Sequence, residues 1–351
     1  MRNTSSLSYG HFRLAEGKNF FAAIKASVEM LGEDKEKMKF VYSRTHLVPE
    51  FLKELKIKFR KRSFGVIPET KIRGGAAILE KLQESLPIMT STQLVDFEKI
   101  NDKSGEGFEL TLKRPEGIYK LRTKYLVLAT GGYGGKFKHT NNIRYNSYNI
   151  FSLVKKNGGK IINKDCIFYH PFGMGKGTEV LTGKESAKGE FVDSKGNFVF
   201  DAETRQKVRD DSYHEIFPAL LRQIRSCRRK GLSVYFVRDR NDKGKKQQEK
   251  KEVVPTVHYT SGGIKTEGIG TVEGCKNLFA IGECQANGSR NNGRLPGYPF
   301  TSAVVHAKAL GEYFSKFRWR EQEMMQSVRK TALPGMEMFL NGGFPVSLKW
   351  T

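Results

Sequence analysis

No stretch of this sequence is apolar for long enough to cross a bilayer, which excludes a helical membrane span. The opening Met1-Arg-Asn-Thr-Ser-Ser-Leu-Ser8 also lacks the apolar core of a secretory signal. Cysteine is scarce. Cys166, Cys227, Cys275 and Cys284 are scattered without close metal spacing, so neither a disulfide framework nor a metal centre is expected. These absences point to a soluble protein of the reducing cytoplasm. Acidic residues are in deficit too: 37 Asp and Glu against 61 Lys and Arg leave a net charge of +24. Such a field draws in anions, nucleic acid among them. The basic residues are spread along the chain with acids between them, however. The densest run, Lys243–Lys251, has no interleaved aromatics and reads as a solvated loop. A small anionic substrate therefore accounts for the charge better than specific nucleic-acid binding.

What is present is enough for two domains, each with its own core, in 351 residues that are 38% hydrophobic. Apolar residues at helical spacing (Phe20, Ile24, Val28, Met30, Leu31) predict helix over 19–60. Lys71–Leu82 reads as a glycine turn opening another helix. The runs Gln93–Ile100, Gly107–Lys113 and Ile118–Lys124 predict a three-stranded antiparallel sheet. Tyr125–Gly132 reads as an apolar strand running into a double glycine, as buried parallel strands do, Asn277–Ile281 as a buried strand, and Pro218–Arg229 and Phe300–Phe314 as helices. In the last of these, Ala303, Ala307 and Gly311 form a small-residue side suited to close packing. The texture changes between 145 and 254, as in an inserted cap. The expected division is 1–144 and 255–320 for one α/β domain, 145–254 for an α+β cap, and 321–351 for a tail. No internal repeat is visible.

Chemistry concentrates late in the chain. Pro255-Thr-Val-His258-Tyr-Thr-Ser-Gly262-Gly263, Leu278-Phe-Ala-Ile-Gly282-Glu283 and Gly293-Arg294-Leu-Pro-Gly297 bring a histidine, paired glycines, a strand-end carboxylate and an arginine together. Glycine lets backbone approach a ligand closely, and His and Arg grip anions. The pattern suits a planar cofactor meeting a small anion. Taken singly, each motif also has a plainer reading. Tyr125–Gly132 could open any α/β turn, Glu283 could be a surface residue and Arg294 an exposed turn residue. His170-Pro171 could end a strand, and Arg209-Asp210-Asp211 could head and cap a helix. Taken together, His170, Arg209, His258 and Arg294 could hold both ends of a dicarboxylate.

Ala129-Thr-Gly-Gly132, Tyr169-His-Pro-Phe-Gly173, Arg209-Asp210, His258-Tyr-Thr-Ser-Gly-Gly263, Ala280-Ile-Gly-Glu283 and Arg294-Leu-Pro-Gly297 follow in an order that resembles the succinate dehydrogenase/fumarate reductase flavoprotein family, which includes L-aspartate oxidase. The resemblance runs over about residues 4–315. It implies a Rossmann-like FAD-binding domain with an inserted cap, and FAD held non-covalently. It further implies hydride exchange between flavin N5 and a C4 dicarboxylate, with L-aspartate oxidation as the alternative; the electron acceptor is left open. By resemblance, Glu283 binds the ribityl chain, His258 and Arg294 hold one substrate carboxylate, His170 holds the other, and Arg209 shuttles the proton. Ser5, Ser6, Thr130, Gly131, Gly132, Gly263, Pro299 and Phe300 are the remaining cofactor-binding positions.

Departures from the family pattern are plain. The Gly-x-Gly-x-x-Gly fingerprint expected before residue 4 is absent, so the Rossmann-like domain is expected to be incomplete at its N-terminus. This leaves open a third reading, a truncated and inactive family member. Gln-Gly-Gly is replaced by Tyr9-Gly10-His11, His-Pro-Thr-Gly by His-Pro-Phe-Gly, and Asn-Ser-Leu by Tyr298-Pro299-Phe300. Pro299 removes one backbone N–H.

Overall fold

The computed structural model describes residues 5–15, 18–30, 32, 34–62, 64–102, 105–144, 149–210, 216–242, 245–287 and 295–316. Strand β1 (Phe12–Arg13) is followed by α1 (Lys18–Lys25), a π-helical turn (Ala26–Met30), α2 (Lys35–Tyr42) and α3 (Leu47–Glu54). The helical reading of this region holds until strand β2 (Phe59–Arg62), which pairs with β3 (Gly65–Pro68) in a small sheet ordered β1-β3-β2. Asp34 starts α2 by accepting from Lys37 N at 2.9 Å. Helix α4 (Gly74–Ser85) begins at the predicted double glycine, and the reason is contact. A Cβ on Gly75 would stand 2.1 Å from Ser5 O, in the Ser5–Leu7 3₁₀ turn.

The predicted antiparallel sheet is present as β4 (Gln93–Asp102), β5 (Gly105–Arg114) and β6 (Gly117–Thr123). Strand β7 (Leu126–Leu128) follows. Then come α5 (Asn149–Lys156), β8 (Ile161–Ile162), β9 (Ile167–Met174), β10 (Glu179–Val180), α6 (Gly183–Ser186), β11 (Glu190–Asp193), α7 (Ala202–Arg209) and α8 (Phe217–Arg229). The chain continues with β12 (Val234–Asp242), β13 (Lys245–Thr260), β14 (Gly263–Ile264), β15 (Thr266–Glu267), β16 (Thr271–Val272), β17 (Leu278–Ala280) and α9 (Tyr298–Ser315).

Two sheets organise the site. One, ordered β15-β16-β17-β7, has β17 and β7 parallel in the register Leu278↔Leu126 to Ala280↔Leu128. The other is the five-stranded cap sheet, ordered β10-β9-β13-β12-β11. Each has its own core. Phe97, Phe108, Leu110, Leu126, Leu128, Leu278 and Ala280 cluster in the first. Phe172, Phe191, Phe200, Phe217, Leu220, Ile224 and Phe236 cluster in the second. Phe151 and Val154 of α5 belong to the first core. Strand β13 runs across the expected 254/255 boundary and joins the two parts.

Several local expectations change. Lys245–Lys251 is ladder rather than loop: β12 and β13 pair from Val234↔Val253 to Asp242↔Lys245. Opposite charges meet on this ribbon, with Arg238 Nε donating to Glu249 Oε2 at 2.5 Å and Lys251 Nζ 2.6 Å from Glu249 Oε1. These two cations, Lys251 first, hold the Glu249 carboxyl down to about 2. His170-Pro171 does not end its strand. Pro171 sits inside β9 where the ladder shifts between Val254 and Thr256, the kind of irregularity at which proline is tolerated. Arg209 closes α7 instead of heading a helix, with Asp210 as its C-cap. On α9 the packed face is Thr301, Val304, Val305, His306, Ala309 and Leu310, whereas Ala307 and Gly311 are exposed. Residues 321–351 lie outside the described residues. Among those described, no helix is long and apolar enough to cross a membrane, and no cluster of His, Cys, Asp or Glu is arranged for a metal.

Candidate active site at the seam of the two sheets

The parallel strands β7 and β17 both run into glycine turns. Gly131 adopts φ 73° and Gly282 φ 69°, conformations that glycine takes at little cost. Gly132 is buried between the two turns, and a Cβ there would lie 2.0 Å from Thr260 Oγ1 and 2.4 Å from Glu283 Oε1. The side chains it would strike are already bonded. Glu283 Oε1 accepts from Thr260 N at 2.9 Å and from Thr260 Oγ1 at 3.0 Å, while Tyr133 N donates to Thr260 Oγ1 at 3.3 Å. Thr260 is the last residue of β13, so this junction welds the cap's longest strand to the ends of β7 and β17.

The junction stays open on one side. Ala129 is exposed, Thr130, Gly131, Gly282 and Glu283 are half-buried, and a Cβ on Gly282 would meet nothing within 4 Å. Ser261 Oγ is buried and has no hydrogen-bond partner among the described residues. Gly263 packs so tightly that a Cβ would be 2.4 Å from Cys284 O. Beneath the turns, burial pushes the Cys284 thiol up to about 11, which leaves it unreactive.

Two residues before Thr260, His258 projects from β13, and His170 from the neighbouring β9, where it stands opposite Thr256. Their ring centroids are 5.6 Å apart. Phe217 meets His170 edge-on at 5.2 Å, and Phe168 meets His258 at 5.8 Å. His170 Nδ1 accepts from Phe172 N at 3.2 Å, and a main-chain N–H only donates, so this nitrogen carries no proton. The side-chain amide of Asn141 reaches His258 Nδ1, with Nδ2 at 2.8 Å and Oδ1 at 3.2 Å, and fixes the ring's orientation. Asn141 was invisible in the sequence because 117 residues separate it from its partner.

The other expected residues are distributed as follows. Arg209 is exposed at the end of α7 and ion-paired with Glu190 of β11, a surface arrangement worth under about 1 kcal/mol. The structure thus unites His170 with His258 and leaves Arg209 with Glu190. Arg294 lies outside the described residues. Ser5 and Ser6 form the turn against α4. Pro299 sits in the first turn of α9, and Phe300 packs on Phe12 with centroids 5.6 Å apart.

Residues 18–299 match the family described as FAD binding domain. The L-aspartate oxidase of Saccharolobus solfataricus is 28% identical over 205 residues, covering 55% of this chain and 42% of that protein. The L-aspartate oxidase of Clostridium acetobutylicum is 22% identical over 271 residues (68% and 59%). The fumarate reductase flavoprotein subunit of Escherichia coli is 24% identical over 234 residues (56% and 38%). The chain spans about half the length of the curated relatives it matches. Among solved structures, a quinol-fumarate reductase with menaquinol molecules superposes with a TM-score of 0.71 at 17% identity, covering 98% of this chain and 67% of that one. The 3-ketosteroid delta1-dehydrogenase of Sterolibacterium denitrificans gives 0.63 at 10% identity, covering 89% and 93%. The glycine turns at the ends of two parallel strands, the inserted cap and the match over most of the sequence agree: the chain belongs to the FAD binding domain family, with FAD as its cofactor and the fold of the fumarate reductase flavoproteins.

Proposed function

We propose that this chain carries the FAD and substrate centre of an oxidoreductase that exchanges hydride between FAD and a C4 dicarboxylate, fumarate or succinate. The observation behind this reading is the His170–His258 pair, 5.6 Å between centroids, beside the Gly132–Thr260–Glu283 junction. The junction suits the cofactor: its turns are open where Gly282 and Ala129 lie, and the buried Ser261 hydroxyl still lacks a partner among the described residues. Thr130, Gly131, Gly132, Gly263 and Glu283 would hold FAD there, with Ser5, Ser6, Pro299 and Phe300 on the side of α4 and α9. Bound FAD supplies the hydride acceptor or donor.

The protein's own part is to bind and orient the substrate. His258, locked by Asn141, donates to one carboxylate and Arg294 joins it, while His170 takes the other end. Phe168 and Phe217 cover the imidazoles and exclude water from one side, which strengthens charged hydrogen bonds. Arg209 serves as proton carrier in this scheme only by leaving Glu190. A second reading, oxidation of L-aspartate, is favoured by the L-aspartate oxidases among the matched relatives.

Anaerobic titration of the FAD-loaded protein tests both readings. Bleaching by succinate supports the first and bleaching by L-aspartate alone the second, while reoxidation of the reduced flavin by fumarate is expected under either. No response to any of the three removes both. His258→Ala is expected to raise KM for the active substrate about tenfold to a hundredfold, the loss of one hydrogen bond to a charged group. An unchanged KM would remove His258 from the carboxylate site.

A further inference from the structure

Strand β2 is the outer strand of the sheet ordered β1-β3-β2, and among the described residues no strand pairs with its free edge. The ladder fixes which backbone groups that edge presents. Glu69 N donates to Lys58 O at 2.8 Å, so Lys58 belongs to the set bonded toward β3, and Arg60 and Arg62 follow it with a period of two. Phe59 and Lys61 stand in the other phase. Their N–H and C=O groups point away from β3, an alternating row of donors and acceptors.

Proteins commonly blunt such an edge with a proline or a bulge. Strand β2 has neither, and its register on β3 runs without a shift. What marks it is charge of one sign. Lys53, Lys56, Lys58, Arg60, Lys61 and Arg62 are all exposed. Of the carboxylates nearby, Glu54 accepts from Lys308 Nζ at 2.6 Å, and Glu69 reaches Arg60 alone, at 3.9 Å. Among the described residues, none comes within 4.0 Å of the charged groups of the other five cations. Other surface cations are neutralised: Lys120 and Arg122 by Glu109, Lys156 by Asp96 and Glu98, Lys160 and Lys265 by Glu273. The β2 edge is a block of positive charge without its counter-charges.

Charge and edge together select the occupant. A second copy of this chain, at net +24, is repelled. A phosphate backbone answers the cations but offers no N–H to the outward carbonyls of Phe59 and Lys61. An extended peptide offers both donors and acceptors. One with a carboxylate at every second residue sets its acids beside Lys58, Arg60 and Arg62, which share one face of the strand. We propose that the free edge of β2 binds an extended acidic segment of a partner protein as a fourth strand of this sheet. Such docking is independent of which substrate the flavin centre takes.

A capped hexapeptide alternating glutamate with threonine, added to the FAD-loaded protein at low salt, is the probe, with hydrogen exchange and calorimetry as readouts. At ten times the peptide Kd, the Phe59 and Lys61 amides are expected to exchange about tenfold slower, since only about a tenth of the protein is then free. The Arg60 and Arg62 amides, already in the ladder, and strands β4–β6 are expected to stay as they were. Lys61→Pro removes one outward N–H and leaves the β3 ladder whole, because Lys61 stands outside the bonded set. Binding is expected to weaken about tenfold in it. The triple variant Lys58→Gln, Lys61→Gln, Arg62→Gln is expected to lose at least as much, together with most of the salt dependence. The same peptide N-methylated at every internal amide keeps its charge and is expected not to bind. This control puts the question to the wild type, should Lys61→Pro fail to fold. Absence of protection at millimolar peptide, equal binding of the N-methylated peptide, or tighter binding of an oligothymidylate of equal charge overturns the proposal.

Discussion

Gly132→Ala is expected to lose about 3 kcal/mol of stability and most of its bound FAD. The added methyl would lie 2.0 Å from Thr260 Oγ1 and 2.4 Å from Glu283 Oε1, distances that no real Cβ occupies. Neither side chain can retreat cheaply. Thr260 is buried and bonded to Tyr133 N and Glu283, and the Glu283 carboxylate is tied to the Thr260 main chain. Moving either one breaks hydrogen bonds at the junction, and the fully buried Thr260 then has no water to turn to. Gly282→Ala is the matching control. Its methyl meets nothing within 4 Å, so only the left-handed φ of 69° is penalised, at about 1 kcal/mol. Denaturant unfolding together with the flavin-to-protein absorbance ratio separates the two. Equal losses in both variants would mean that crowding at the junction is not what makes residue 132 a glycine.

Elements whose side chains alternate with a fixed period were readable before any coordinates. The period of two in β4–β6 points Phe97, Phe108, Leu110 and Leu121 into a core, and of the apolar stripe read within 19–60 Ile24 is buried while Phe20 and Val28 are half-buried against it. The ribbon β12–β13 was not readable near its tip. From Arg238 to Lys251 the sequence has no apolar residue to alternate, and cross-strand charge pairs such as Arg238–Glu249 are not revealed by sequence spacing. The small-residue side of α9 misled for a related reason. Small residues permit close approach without requiring it, and Thr301, Val304 and Val305 offer more area to bury. Within the site, His170 and His258 stood out because each sits in a distinctive local motif. Asn141 sits in none. Its partner is 117 residues away, and its role exists only once β13 has brought that partner back.

Acid is expected to weaken the fold through His306, by about 3 kcal/mol between pH 6.5 and pH 4. His306 is 2% exposed, and its Nδ1 lies 2.7 Å from Ser302 O, a carbonyl that only accepts. Nδ1 therefore carries a proton. Burial, with the Lys37 ammonium adding to it, lowers its pKa from 6.5 to about 4. The unfolded chain thus binds a proton more readily than the native one. The stability that the neutral ring contributes is complete above pH 6.5 and is lost as pH falls through 4. His306→Asn keeps a donor for Ser302 O and removes the titration. The wild type is expected to fall relative to this variant by about 3 kcal/mol across that window, measured by guanidinium unfolding at pH 7, 5 and 4. Parallel slopes would show that His306 is already protonated in the native state.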